Sequence, residues 1–567
     1  MIGIGVQCRL FLLFSFLLAG CESTPPRVTT HIGDWRDRVI YQIIVDRFEN
    51  GDSDNDAADG VEPVPGDLSR VQGGDWRGIS ERLDYLERLG VSAIWISPIV
   101  ANVPRMEHED GYHGYWASDF TTLNSRFGSF DDLKALIDAA HARDIAVIVD
   151  IVTNHTGRVF DYDLNDDGVT SAEEHEPPYR VTGYDVPLLW SEPRPRLFVP
   201  DRDGRETFAL DAAHFHRRGV GHLGIYEERR YGDFPTGLRD LDTAREDIVS
   251  GMIETYAYWA LTLDLDGFRI DAVPHVEVPF WQRFCDGVRR RLAMHGKHRF
   301  LMVGEVFEHE ASEIARHTSE GALDSGFDFP MKFGFIHTVI LGGEPPVRAR
   351  AALEENRVLF RETPQPLGVG LSPWQARVAI ADNHDVPRIA AEISDPFAVD
   401  QALVAVFTID AIPGIYYGTE QEFHGVNHHE AREPMWESGF REDVPRFELI
   451  QRLARIRRES VALRRGSLEV MYASEVGGAE LDRPIADAGM LVWERVYSSD
   501  REANREVVLI AMNTHPTQVS RVRVMSSFPP GTRLVDRLSG EISISVSTEG
   551  ALELELGPRR SAILFAE

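Results

Sequence analysis

The chain has 567 residues, with 91 acidic against 59 basic side chains and a formal charge of -32 at pH 7. A polyanion has no electrostatic reason to seek phosphate backbones, which argues against nucleic acid as a partner. An apolar fraction of 43% describes a packed globular protein of two or three domains, and three cysteines, Cys8, Cys21 and Cys285, are too few for a disulfide scaffold.

In chain order, the first element is the apolar run Leu10 to Leu18 behind Arg9. It is too short to span a bilayer and has the length of a signal-peptide core, giving a signal over 1–20. The run closes on Leu18-Ala19-Gly20-Cys21, which resembles the bacterial lipobox. That resemblance implies cleavage before Cys21, lipid on its sulfur, and an extracytoplasmic protein anchored in the cell envelope. Glu22 rather than aspartate follows, which points to the outer membrane where the cell has one. Residues 21–34 are polar and read as a tether.

Strand and helix patterns then alternate. Val39 to Val45 reads as a strand, Asp75 to Leu89 as a helix with Gly90 as its C-cap, and Val91 to Ile96 as a strand. Phe130 to Ala142 reads as a helix and Ala146 to Val152 as a third strand. This alternation predicts βαβ units and a parallel sheet. Residues 156–235 break the pattern with Gly, Pro, Asp and His, a stretch too long for an ordinary loop and expected to be an inserted subdomain. Alternation resumes with a helix over Ile248 to Leu263 and strands over Asp266 to Val273, Phe300 to Phe307, Gly326 to Phe333, Arg377 to Ala381 and Pro413 to Tyr417. Residues 35–155 and 236–465 thus form one domain. From 466 to 567, short β-like runs between turn residues predict a C-terminal antiparallel β-sandwich.

Three of these strands run into a carboxylate: Gly267-Phe-Arg-Ile-Asp271, Val303-Gly-Glu305 and Ala381-Asp-Asn-His-Asp385. Carboxylates at C-terminal strand ends lie where barrels do chemistry, and three of them suit an oxocarbenium-like transition state. Arg269 lies two residues before Asp271, hence on the same face, and is expected to hold it ionised. Glu305 needs the opposite, a raised pKa.

With Asp150-Ile-Val-Thr-Asn-His155, Tyr112-His113-Gly-Tyr115-Trp116, Leu238-Arg-Asp240-Leu-Asp242 and Gly414-Ile-Tyr-Tyr-Gly-Thr-Glu420 in the same order, the chain resembles the α-amylase family, glycoside hydrolase family 13, over roughly 35–567. The resemblance implies an α/β fold: a (β/α)8 TIM barrel with an inserted subdomain after strand 3 and a C-terminal antiparallel β-sandwich. It implies that Asp271 is the nucleophile, Glu305 the general acid/base and Asp385 the transition-state stabiliser. Arg269, His155, His384, Tyr115 and His113 would bind substrate. The implied activity is endo-acting, retaining cleavage of α-1,4-glucosidic bonds in starch, glycogen or maltooligosaccharides by a monomer. The alternatives are a 4-α-glucanotransferase, a cyclomaltodextrinase or maltogenic-type enzyme, and, in another class, a non-catalytic glycan-binding lipoprotein. Pro274 stands where many relatives carry a lysine that binds an acceptor-side sugar. Phe307 matches an aromatic that guides acceptors in cyclodextrin-forming relatives.

One to three Ca2+ sites are expected. The first, by resemblance, joins barrel and insertion through Asn154, Asp240 and the carbonyl of His275. The second, also by resemblance, is Asn50, Asp52, Asn55, Asp56, the carbonyl of Gly73 and Asp75. The third follows from EF-hand loop spacing: Asp163, Asn165, Asp167, Val169 and Glu174, with Gly168 at the turn and no flanking helices.

Overall fold

The computed structural model describes residues 28–180, 186–200, 202, 206–478, 485–499 and 505–567. The signal, Cys21 and most of the tether lie outside the described residues.

Eight short strands form one parallel sheet: Ile40–Ile43, Ala93–Ile96, Ala146–Ile151, Gly267–Ile270, Leu301–Gly304, Ser325–Gly326, Val378–Ile380 and Ile412–Tyr416. The first pairs with both the second and the eighth, and a bridge from Phe327 to Val378 closes the ring between the sixth and seventh. These strands are near-continuous apolar runs because both their faces are buried. Alternate side chains divide between two cores. Ile40, Ala93, Trp95, Ile148, Leu301, Val303, Val378, Ile380 and Ile412 fill the barrel interior. Tyr41, Ile43, Ile94, Ile96, Val147, Val149, Phe268 and Met302 pack outward against the helices.

The same parity positions the site. Continuing each inward row by two residues reaches Gln42, Asp150, Arg269, Asp271 and Glu305, so the interior changes from apolar to charged at its C-terminal mouth. Register sets Arg269 directly beside Asp150 and Val303.

Two expectations are corrected. The helix over 75–89 is broken at Arg82 into Trp76–Glu81 and Leu83–Leu89. Asp75 caps the first piece, and Gly90, at φ 97°, ends the second where a Cβ would fall 2.6 Å from Ala454 Cβ. The sixth strand is Ser325–Gly326 alone: Phe329–Met331 and Lys332–Leu341 are helical, so the apolar run there packs as a helix. A run of that length fits a strand or a buried helix equally well by periodicity.

The insertion is built from two-stranded ribbons, Phe160–Tyr162 with Leu188–Trp190 and Arg196–Phe198 with Thr207–Ala209. The pair His155–Thr156 with Arg239–Asp240 ties its two ends together. Beyond the barrel, a six-stranded antiparallel sheet faces the ribbon Ser520–Met525 with Ala551–Leu556 across a core of Val492, Leu509, Ala511, Leu552 and Leu554.

The first described residues fold against the opposite, N-terminal end of the barrel. Thr29 N donates to Asp264 Oδ1 at 3.1 Å, the His31 ring stacks on His141 at 3.8 Å, and buried Trp35 donates from Nε1 to the Arg299 carbonyl at 2.8 Å. Asp264 and Arg299 immediately precede the fourth and fifth strands.

Candidate active site

Arg269 is buried at the barrel mouth and forks among three carboxylates. Its Nη1 lies 3.0 and 3.1 Å from the two Asp150 oxygens and 2.7 Å from Asp271 Oδ1, and its Nη2 lies 2.8 Å from Glu305 Oε1. Asp150 also accepts from Tyr115 Oη at 2.7 Å and Trp95 Nε1 at 3.1 Å. Glu305 Oε2 accepts the Ala272 N–H at 3.1 Å. Ala272 takes a left-handed conformation, φ 50°, which turns the chain sharply after Asp271. Asp271 and Glu305 keep side-chain exposures of 14% and 12%, whereas Asp385, on the loop after the seventh strand, keeps 33% and faces them from the open side.

A second arginine organises that side. Arg432 donates to Asp385 Oδ1 at 3.3 Å, to the His384 carbonyl at 3.1 Å and to Tyr112 Oη at 3.0 Å. Gln42 Nε2 donates to His384 Nδ1 at 2.6 Å, which leaves the proton on Nε2, 3.1 Å from Asp385 Oδ2. The Tyr115 ring lies parallel to His384 at 5.2 Å and stacks on His113 at 5.6 Å. His155, on the loop after the third strand, is buried with no partner on Nε2. Burial, first, keeps His113, His155 and His384 neutral, His155 at about 3.

The titration of the carboxylates corrects an expectation. Arg269 does not hold Asp271 low. Burial raises Asp271 to about 7 against the pull of Arg269, with Glu305 and Asp385 pushing the same way. Burial likewise raises Asp150 to about 7, and burial followed by the charge of Asp385 raises Glu305. Asp150, Asp271 and Glu305 surround the Arg269 guanidinium and Asp385 faces them from Arg432, so burial, with four acids against two bases, leaves the group retaining a proton near neutrality. That is what a retaining pair requires: one carboxylate protonated, one ionised.

Sequence reasoning missed Asp150, Gln42 and Arg432. Asp150 was legible as a charged residue ending a buried strand, and Gln42 as its counterpart on the first. Arg432 carries no local signal; only the fold brings its loop to Asp385. Trp116 belongs to a small core with Met106 and Leu238.

The second calcium cluster converges. Asn50 donates to Asp56 at 2.9 Å, and a Cβ at Gly73, φ 103°, would lie 3.0 Å from Asp56 Oδ1. Asp75 Oδ2 takes the Asp52 N–H at 2.7 Å and Asn55 Nδ2 at 3.3 Å, while Asn55 Oδ1 is buried without a partner. Burial raises Asp56, with Asp75 and Asp52 adding to it. Three carboxylates, an orphaned amide oxygen and a close glycine backbone fit a hard cation.

At the first cluster, the ladder sets Asp240 beside His155, Leu241 N bonds the Asn154 carbonyl at 2.9 Å, and the His275 ring lies 5.0 Å from Phe234. Asp240 Oδ2, however, already accepts from His216 Nδ1 at 2.5 Å. Burial opposes protonation of His216, but Asp240 and Asp242 outweigh it and raise His216 to about 10, while burial raises Asp240 itself to about 7, so the two share a proton and His216 already occupies this Asp240 oxygen. Calcium entry there requires its displacement. In the third cluster, Asp163, Asn165, Asp167 and Glu174 are turned onto amides of their own loop, Gly168 sits at φ 76°, and the exposed Val169 is followed only by the four-residue helix Ala172–His175.

Carboxylates after the fourth, fifth and seventh strands, gathered with two arginines at the mouth of a (β/α)8 barrel, define the class of barrel to which the molecule conforms. The α-amylase catalytic-domain profile matches residues 42–462, and the chain belongs to that family. It is 32% identical to an α-amylase of Streptomyces lividans over 73% of this chain and 49% of that protein. It is 29% identical to a cyclomaltodextrin glucanotransferase of Geobacillus stearothermophilus over 92% of this chain and 66% of the other. The chain therefore spans between about half and two thirds of the length of these relatives. Among solved structures, an Anoxybacillus α-amylase superposes with a TM-score of 0.70 at 26% identity, covering 94% of this chain and 98% of its own. The three-domain cyclomaltodextrin glucanotransferase CldA superposes at 0.72 and 25% identity, covering 94% and 99%.

Asp385→Asn removes a negative neighbour of both Asp271 and Glu305. Both carboxyls then titrate at lower pH, so the residual kcat/KM profile on maltosyl fluoride moves to the acid side. A profile lowered in height but unmoved along the pH axis would refute this coupling.

Proposed function

We propose that the protein is a retaining, endo-acting glycoside hydrolase of α-1,4-linked glucans such as starch, glycogen and maltooligosaccharides. The observation that carries this reading is the single guanidinium of Arg269 bridging Asp271 and Glu305. Carboxylates one hydrogen bond from the same fork are close neighbours, as the class that works through a covalent intermediate needs, at about 5–5.5 Å. Asp271 attacks the anomeric carbon while Glu305, whose carboxyl is raised by burial and by the charge of Asp385, gives its proton to the departing glycosidic oxygen. Glu305, now ionised, takes a proton from water, which attacks the glycosyl ester and releases Asp271. Asp385, oriented by His384 and Arg432, faces the positive charge that develops in both steps. Tyr115 offers its ring, and His113, His155 and His384 offer neutral imidazoles, to the sugar at the point of cleavage.

Phe307 supports a second reading, glycosyl transfer. It is 44% exposed two residues beyond Glu305 and packs on Phe329 at 4.7 Å, an apolar platform on which an acceptor sugar could compete with water. A product time course on soluble starch and maltoheptaose separates the two. Mixed short maltooligosaccharides that vanish in Asp271→Asn are expected. Cyclic products, or chains longer than the maltoheptaose supplied, would replace hydrolysis by transfer, and no turnover at all would leave a glycan-binding lipoprotein.

Calcium would occupy the Asn50–Asp75 cluster, where it would pin the loop to the helix that Asp75 caps; the other two clusters are weaker claims on the same ion. A site filled at 100 times its Kd adds about 2.7 kcal/mol. Chelation is thus expected to lower the unfolding midpoint of the wild type and to change that of Asp75→Asn far less; equal losses would reject the site.

Among the described residues no helix is long and apolar enough to cross a membrane. We place the protein on the cell envelope through lipid on Cys21, as a monomer. Mass spectrometry of the N-terminal peptide should find the acylated cysteine, and Cys21→Ser should release the protein from the membrane fraction. An unmodified mature N-terminus would refute the anchor.

A further inference from the structure

The segment Asn427-His428-His429-Glu430 has no role in the chemistry above, yet it lies at the rim of the same mouth. There the structure brings together Glu109, on the short strand Glu109–Asp110, and His428 and His429, which follow the eighth strand. Each offers a donor atom, and these atoms lie within 4.8 Å of one another. Glu109 Oε1 is buried without a hydrogen-bond partner among the described residues, 3.8 Å from His429 Nδ1 and 3.9 Å from His113 Nε2. An unpaired carboxylate oxygen facing imidazoles at that range is costly and calls for something between them.

We propose that Glu109, His428 and His429 form a binding site for a divalent transition metal of the zinc type at the rim of the catalytic pocket. Ligands about 2.0–2.1 Å from a tetrahedral centre stand roughly 3.3 Å apart, so closing the gap from Glu109 to His429 takes a shift of only about half an ångström. Two imidazoles and one carboxylate suit zinc and exclude calcium, which takes oxygen ligands. His428 is exposed, which gives the ion an entry path. Occupation has a route to the chemistry, because His428 Nε2 accepts from Arg432 Nη2 at 2.5 Å and Arg432 holds Asp385.

The test is zinc titration of the whole protein by calorimetry, in calcium-containing buffer, with Co2+ as a visible-absorbing probe. Its readout is binding, so it stands apart from the substrate reading. One equivalent of zinc is expected in the wild type, weakened at least about tenfold in Glu109→Gln and in His429→Ala. His429 is partly exposed, so its replacement spares the fold. Unchanged stoichiometry and affinity in both variants would overturn the proposal. So would a zinc equivalent that survives in them but disappears in His31→Ala, since His31, His141 and Asp266 form another donor group at the opposite end of the barrel.

Discussion

A single buried guanidinium holds the mouth of this barrel together. Burying Arg269 is tolerable only because carboxylates from the third, fourth and fifth strands converge on it, and burying those carboxylates is tolerable only because of Arg269. The exchange is unequal: three acids share one base, and Asp385, paired with Arg432, adds its charge from the open side. Burial, with the surplus negative charge adding to it, is the source of the retained proton, so the arrangement that makes the cluster poor as a structural element makes it apt for acid–base work. Removing either side of the arrangement would leave an uncompensated buried charge, which explains why the neighbouring donors, Trp95, Tyr115 and the Ala272 amide, are all spent on the carboxylates.

Much of this was legible in the chain. Period-two alternation in buried strands fixed which residues face inward, and Asp271 and Glu305 followed from it directly. Asp150 obeys the same rule one residue before the end of its buried strand, where a charge flanked by apolar neighbours reads as part of the apolar run. The sixth strand was misplaced for a physical reason: its apolar residues serve a helix whose buried face has the same composition. Arg432 reaches Asp385 across 47 residues of sequence, and no local pattern announces such a partner. The direction of the Asp271 shift was also beyond sequence, since it depends on how many acids share the arginine, which only the assembled barrel decides.

The insertion shows a different economy of charge. It is stitched to the barrel through His155 and Asp240, and Asp240 shares a proton with His216. Where acidic side chains instead meet each other, as around Asn55 and Asp75, the fold leaves an oxygen unsatisfied and a glycine backbone close by. The two junctions handle the same problem, excess buried negative charge, by an internal base in one case and an open cradle in the other.

The docking of residues 29–35 on the N-terminal end of the barrel has a geometric corollary. The catalytic mouth and the point where the chain enters the domain lie at opposite poles of the barrel axis. The first described residues thus have the whole length of the strands between them and the pocket.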